Sequence, residues 1–131
     1  LIVLDTHVWV WWVASPERLS PAARQRIDDE AGERPVQISS ISSWEVALLV
    51  KKGRLELTLG VEAWIAGSEA LPFVRFVPVD NQIAILSNNL PGELHEDPAD
   101  RIIAATASLL GATLITKDRK LRDYPHIETF W

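Results

Sequence analysis

The chain has 131 residues, 47% of them hydrophobic and 24% charged, with a net charge of −5 and a pI near 5.1. That length suits one domain over residues 1–131 with a continuous core, and no apolar run reaches the roughly 20 residues needed to cross a bilayer. With no cysteine, disulfides, thiol nucleophiles and thiolate zinc sites are excluded, so any metal must be held by oxygen or imidazole. The acidic balance argues against holding nucleic acid by bulk electrostatics, although "VKKGRL" and "TKDRKLR" are locally basic. The start at Leu1, with no basic flank or cleavage signal, reads as a chain that follows its initiator and carries no targeting segment; a cytoplasmic location is expected.

Leu1 to Leu4 read as a buried strand that runs into Asp5, and Val8 to Val13 as a helix apolar nearly all round, with Trp9 and Trp12 on the face of Val8 and Val13 and Trp11 elsewhere. "SPAARQRIDDEAG" is a helix with Ser20 as N-cap, Pro21 first and Gly32 past its end. Strand "VQIS" leads to a helix "SWEVALLVKKG" that starts at Ser42 and stops at Gly53. "VEAWIAGSEAL" is helical, "FVRFVPV" a strand, "DNQIAILSNNLPG" a helix. "PADRIIAATASLLG" carries a broad apolar stripe through Ile102, Ile103, Ala105, Thr106, Leu109 and Leu110. Strand "ATLIT", a turn or short helix around "DRKLRDYP" and a strand "HIETF" complete the chain. Short apolar strands alternating with amphipathic helices predict an α/β fold with a mainly parallel sheet, whose binding crevice lies outside the carboxyl ends of its strands.

Asp5, Glu45, Asp100 and Asp118 all fall at strand ends or helix starts on that scheme. Two explanations compete. "SSWE" matches a capping box with Ser42 as N-cap and Glu45 three residues on, and in "DPAD" Asp97 can cap, Pro98 can open and Asp100 can favour the helix dipole. Asp5 is different, because Thr6 is available to cap and a carboxylate ending a buried strand must be desolvated or paired, with no basic residue in the next dozen positions. Several acids at one sheet edge repel unless a divalent cation neutralises them, and oxygen donors of high charge select magnesium or manganese.

The stretches "VLDTHVWVWW", "ISSISSWEVALLVKKGRL", "HEDPADRIIAATA" and "LITKDRKLRDYP" resemble, in order and spacing, the PIN-domain family, in particular the VapC-like ribonuclease toxins of type II toxin–antitoxin modules. The resemblance spans nearly the whole chain. It implies a PIN-like three-layer sandwich, a mainly parallel central sheet of about five strands flanked by helices. It also implies a metal-dependent endoribonuclease with Asp5, Glu45, Asp100 and Asp118 as its acidic site and Mg2+ or Mn2+ as cofactor. Asp5, Asp100 and Asp118 are the expected metal ligands, the first two most directly, with Glu45 and Asp118 suited to a metal-bound water, a second ion or the attacking water. Thr6 and Thr116 resemble the small hydroxyl positions that line such sites, and Asp97 reads as a cap first and a ligand second. An RNA substrate, a homodimer and an antitoxin whose C-terminal segment covers the groove follow from the same likeness.

Carboxylates alone repel RNA, so cations must receive its phosphates. Arg101, Lys117 and Arg119 adjoin site acids and are the candidates; Lys51, Lys52 and Arg54 end the Glu45 helix. His7, His95 and His126 read as packed or hydrogen-bonding residues. A haloacid-dehalogenase-like phosphatase would need a second Asp two residues after Asp5, where His7 stands, and a receiver domain would need paired acids near the first strand's end. A noncatalytic PIN-like module that binds RNA or protein is the alternative that remains open.

Overall fold

Ile2, Val3 and Leu4 form β1 (Ile2–Leu4), and all three are buried because this strand lies in the middle of the sheet with helices on both faces. Such a strand has no wet side, which explains its unbroken apolar run. In the computed structural model, which describes residues 1–131, the chain continues through α1 (Thr6–Ala14), a single 3₁₀ turn, α2 (Pro21–Glu33), β2 (Val36–Ser39) and α3 (Ser40–Lys51). It then passes through α4 (Val61–Glu69), β3 (Val74–Val77), α5 (Asn81–Ser87), α6 (Pro98–Leu110), β4 (Thr113–Ile115), α7 (Arg119–Arg122) and β5 (Thr129–Phe130).

The five strands are all parallel, in the order β3-β2-β1-β4-β5. The chain lays β2 and β3 on one side of β1, then crosses to place β4 and β5 on the other. The strand order therefore reverses at the β1/β4 boundary, the kind of point at which a crevice opens beyond the strand ends. Ile2 and Leu4 face one core with Trp9, Ile27, Ile38, Val46 and Trp64; Val3 and Leu114 face the other with Ile83, Ile103 and Leu121. The two cores and the sheet between them are the three layers. No helix is long and apolar enough to cross a membrane.

Local signals hold at most boundaries. Ser20 accepts a hydrogen bond from the Ala23 amide at 3.0 Å and Asp80 from the Ile83 amide at 2.9 Å, each satisfying an orphan donor of a first helical turn. Gly111 closes α6 at φ +61°, a left-handed conformation that costs a side chain but not glycine. Three expectations need correction. Gly32 lies inside α2, which runs on to Glu33. Ser39, not Ser42, caps α3, so the helix begins at Ser40 and "SSWE" is no capping box. Val13 is 42% exposed and does not share the burial of Val8 and Trp9.

Candidate active site

Asp5 takes the N-cap position of α1 at φ −62°, ψ 155°, still extended because its amide donates to the Ile115 carbonyl at 3.0 Å. Its Oδ1 accepts from the Thr6 amide at 2.8 Å, so capping falls to Asp5 rather than to Thr6. The second oxygen, Oδ2, accepts from the Thr116 hydroxyl at 2.7 Å. Thr116 lies just past β4, and its hydroxyl oxygen accepts in turn from the Asp118 amide at 3.0 Å. This fully buried hydroxyl thus ties the end of β1 to the loop that carries Asp118.

Thr6, released from capping, turns its hydroxyl to α3. It donates to Glu45 Oε1 at 2.5 Å and meets the Ser42 hydroxyl at 2.8 Å. Because α3 starts at Ser40, Glu45 lies beyond the first turn and is too far along to serve as a capping acid. Ser42, buried beneath this contact, is a positioning residue that the sequence suggested only as a cap.

Asp97 caps α6, accepting from the Asp100 amide at 3.1 Å, and is itself exposed. Asp100, in the first turn of α6, places Oδ2 2.6 Å from His95 Nε2. His95 is thus a hydrogen-bonding residue as expected, and the structure adds its partner, an acid five residues on across a helix-start turn. Asp118 caps α7 through the Lys120 amide at 2.8 Å and is exposed. The capping reading therefore holds for Asp97 and Asp118, fails for Glu45, and describes only one of the two oxygens of Asp5.

Asp5, Glu45 and Asp100 feel both burial and their acidic neighbours. Burial pushes Asp5 up from the usual carboxylate range, against the opposing pull of the Thr116 and Thr6 hydrogen bonds, with Asp118 raising it further. Burial raises Glu45 to about 7, opposed by the Thr6 bond and reinforced by Asp5, Asp100 and Asp97. Asp100 is raised to about 6 by burial, opposed by His95 and reinforced by Asp5, Asp97 and Asp118. Among them only Asp100 has a basic side chain within hydrogen-bonding distance, the His95 ring. Negative charge is thus gathered at the switch point and left largely uncompensated.

No three acidic or imidazole groups stand close enough to form a finished metal cage. The donor set nevertheless fits a hard divalent cation that keeps much of its water, as magnesium does, since every donor is a carboxylate or hydroxyl oxygen and the charge lacks a counterpart. Asp5, Asp100 and Asp118 are the residues that could hold it.

The basic candidates separate. Lys117 and Asp118 line a cavity of about 330 Å³ with Asp5, His7, Val8 and Trp11. Arg101 is employed elsewhere, donating from Nε to the Ser87 carbonyl at 2.8 Å and from Nη1 to the Leu94 carbonyl at 2.8 Å. It straps the loop between α5 and α6, which carries His95, and those two donors are not free for phosphate. Arg119 opens α7 and lines a separate hollow with Arg122, Thr129 and Trp131. Lys51, Lys52 and Arg54 sit at or beyond the far end of α3, a helix about 18 Å long at 1.5 Å per residue, away from the edge where it begins.

An all-parallel sheet with acids assembled beyond the switch point defines a class of α/β proteins, and comparison gives the family. The PIN domain family profile matches residues 2–127, and the chain belongs to that family. It is 40% identical over 125 residues to "Ribonuclease VapC22" of Mycobacterium tuberculosis, an alignment covering 95% of this chain and 92% of that protein. Among solved structures, VapBC2 from Rickettsia felis bound to a promoter DNA fragment superimposes with a TM-score of 0.72 at 18% identity, covering 98% of this chain and 96% of the other. DNA-bound VapBC from Salmonella typhimurium gives 0.67 at 22% identity, with 98% and 96% covered. At those identities the two structures speak for the fold, the PIN-like three-layer sandwich.

Proposed function

We propose that this chain is a metal-dependent endoribonuclease that hydrolyses RNA phosphodiester bonds and acts as the toxin of a toxin–antitoxin pair. The observation that carries the reading is Asp5, buried without a cationic partner at the switch point, with Glu45, Asp100 and Asp118 inside its field. The 40% identity to a protein named a ribonuclease supports the activity, and the likeness to VapBC structures supports an antitoxin partner. Residues 1–131 act as one domain, in the cytoplasm, as a homodimer.

Asp5 and Asp100 would hold Mg2+ or Mn2+, with Asp118 at the rim and Glu45 behind. When bound, such an ion supplies a nucleophile at neutral pH and charge stabilisation at phosphorus. The chain's own residues do the rest. Thr116 and Thr6 hold the Asp5 and Glu45 oxygens in place, and burial brings Glu45 to a proton affinity suited to exchanging a proton with water near neutral pH. Lys117 offers an exposed ammonium beside Asp5 and Asp118 to receive a phosphate. A groove of about 540 Å³ lined by Trp12, Val13, Ala31, Leu71, Phe73 and Asp28 supports an antitoxin segment with an aliphatic or aromatic anchor and a basic residue.

Purified protein incubated with single-stranded or looped RNA tests the activity. Cleavage is expected with magnesium or manganese and none in excess EDTA. Equal cleavage in EDTA, with contaminating nuclease excluded by an Asp5→Asn preparation, would refute it.

A further inference from the structure

Trp11 leaves the apolar face of α1 and turns toward the acidic edge. It is half-buried and walls the same cavity of about 330 Å³ whose other sides include Asp5, Asp118, Lys117 and His7. Four cationic or aromatic groups surround the indole. Lys117 Nζ stands 5.8 Å from the ring centroid, Arg18 Cζ 5.0 Å, the His7 ring centroid 6.0 Å at an interplanar angle of 51°, and the Trp131 ring centroid 6.1 Å at 59°. Trp9, two residues earlier, spends its ring differently: fully buried, it packs on Trp64 and Phe76 and donates its indole N–H to Ser68 at 3.1 Å. Trp9 is a core residue. The Trp11 indole N–H has no such partner, and the ring borders open space instead.

An aromatic wall with two flexible cations at its face, directly beside two carboxylates of the hydrolytic site, matches the chemistry of single-stranded nucleic acid. The planar base takes the ring and the phosphate takes the ammonium. An acidic protein partner would meet the repulsion of Asp5 and Asp118 without a base to stack, and a basic one would meet Lys117 and Arg18. We propose that Trp11 is a base-stacking platform for a nucleotide flanking the scissile phosphate, with Lys117 receiving that nucleotide's phosphate. His7, exposed on the first turn of α1, edges the same subsite. The proposal rests on the ribonuclease reading and gives it a substrate feature: an unpaired nucleotide beside the cut, because a base held in a duplex cannot present its face to the ring. Lys117 and Arg18 lie over the indole in the free protein on flexible stems and can swing aside for a base.

The test is equilibrium binding of a short fluorescent single-stranded RNA in EDTA, where no cleavage competes, together with copies of that RNA carrying one abasic position at each site in turn. For wild type, one abasic position is expected to weaken binding about tenfold, the usual scale for one stacked base. Trp11→Leu should weaken the intact RNA by a similar factor and be indifferent to that abasic position, whereas Trp11→Phe should stay within about threefold of wild type. Melting temperatures of both variants control for folding, and Lys117→Gln, a change at an exposed side chain, should lower the slope of log K against log salt by about 0.7. Equal effects of Trp11→Leu on intact and abasic RNA, or none on either, overturn the stacking platform while leaving the nuclease intact. Absence of any RNA binding by wild type in EDTA would overturn the platform, and the ribonuclease reading would then stand or fall separately on cleavage with magnesium.

Discussion

The acidic edge has two halves built on different principles. Asp5 and Glu45 are held by side-chain hydroxyls from remote parts of the chain, Thr116 lying 111 residues from Asp5 and Thr6 lying 39 from Glu45. Asp100 and Asp118 are held by their own helix starts, Asp100 within the turn capped by Asp97 and Asp118 as a cap itself. The first half depends on the sheet being assembled; the second rests on helix starts and the loop before α6, where His95 meets the half-buried Asp100, and only Asp118 is exposed. Such a division teaches where charge is costly. Asp5, Glu45 and Asp100 carry the free-energy cost of burial and proximity, and the exposed Asp118 can adapt as an ion or substrate arrives.

Activity separates the halves most strongly. Asp5→Asn is expected to lower RNA cleavage at least about a hundredfold, or roughly 2.7 kcal/mol of barrier, and Asp118→Asn only about tenfold. Comparable losses measured in single-turnover assays would erase the distinction.

Metal-free stability should fall as pH rises across the range set by Glu45, from its ordinary 4.5 to about 7. Below the lower value the group is protonated in both states; between the two the folded state binds more protons than the unfolded chain, so the slope of stability with pH is negative. Asp100, raised to about 6, adds to the fall in the lower part of the same range. Glu45→Gln should remove about 2 kcal/mol of this dependence, after discounting the shift for the part exposure of the group. Urea melts in EDTA at pH 4.5 and 7.5 make the comparison, and an unchanged pH slope in the variant would show that Glu45 is not strained by its neighbours.

Thr116→Val tests the long-range tie. It removes the donor to Asp5 and the acceptor for the Asp118 amide in one change, at an expected cost of about 1 to 3 kcal/mol. Asp97→Asn, in the locally built half, should be neutral within a few tenths, since Asn caps about as well as Asp. Calorimetry on both distinguishes them, and a stable Thr116→Val protein would mean that Asp5 finds another partner.

A further effect concerns the cation. At about ten times its Kd, manganese should stabilise wild type by roughly 1.4 kcal/mol, a few degrees in Tm for a chain of this size. The Asp5→Asn, Asp100→Asn double variant should lose most of that gain. Its metal-free form should melt no lower than wild type, because neutralisation relieves repulsion. An equal manganese response in both proteins would take these two acids out of the ligand set.

By itself the amino-acid sequence determined the parts whose causes are local. The Ser20, Asp80 and Asp97 caps, the glycine that closes α6 and the apolar strands all follow from residue chemistry within a few positions. It also pointed to the four acids of the candidate site and to their common edge. What it left open were choices among equals. In "SSISS" any of four serines could cap α3, and Ser39 does because β2 pairs with β3 through Ser39 opposite Val77, which ends the extended backbone there. Asp5 rather than Thr6 caps α1 for the same kind of reason, its amide being held to β4. Those two decisions, made by strand pairing, free Thr6 to hold Glu45 and Ser42 to hold Thr6; separately, the carbonyls of Ser87 and Leu94 engage Arg101, and Trp11 lines the cavity beside Asp5 and Asp118. Local propensity reaches only a turn or two along the chain, whereas each of these assignments depends on a hydrogen bond or a packed neighbour supplied by another part of the fold.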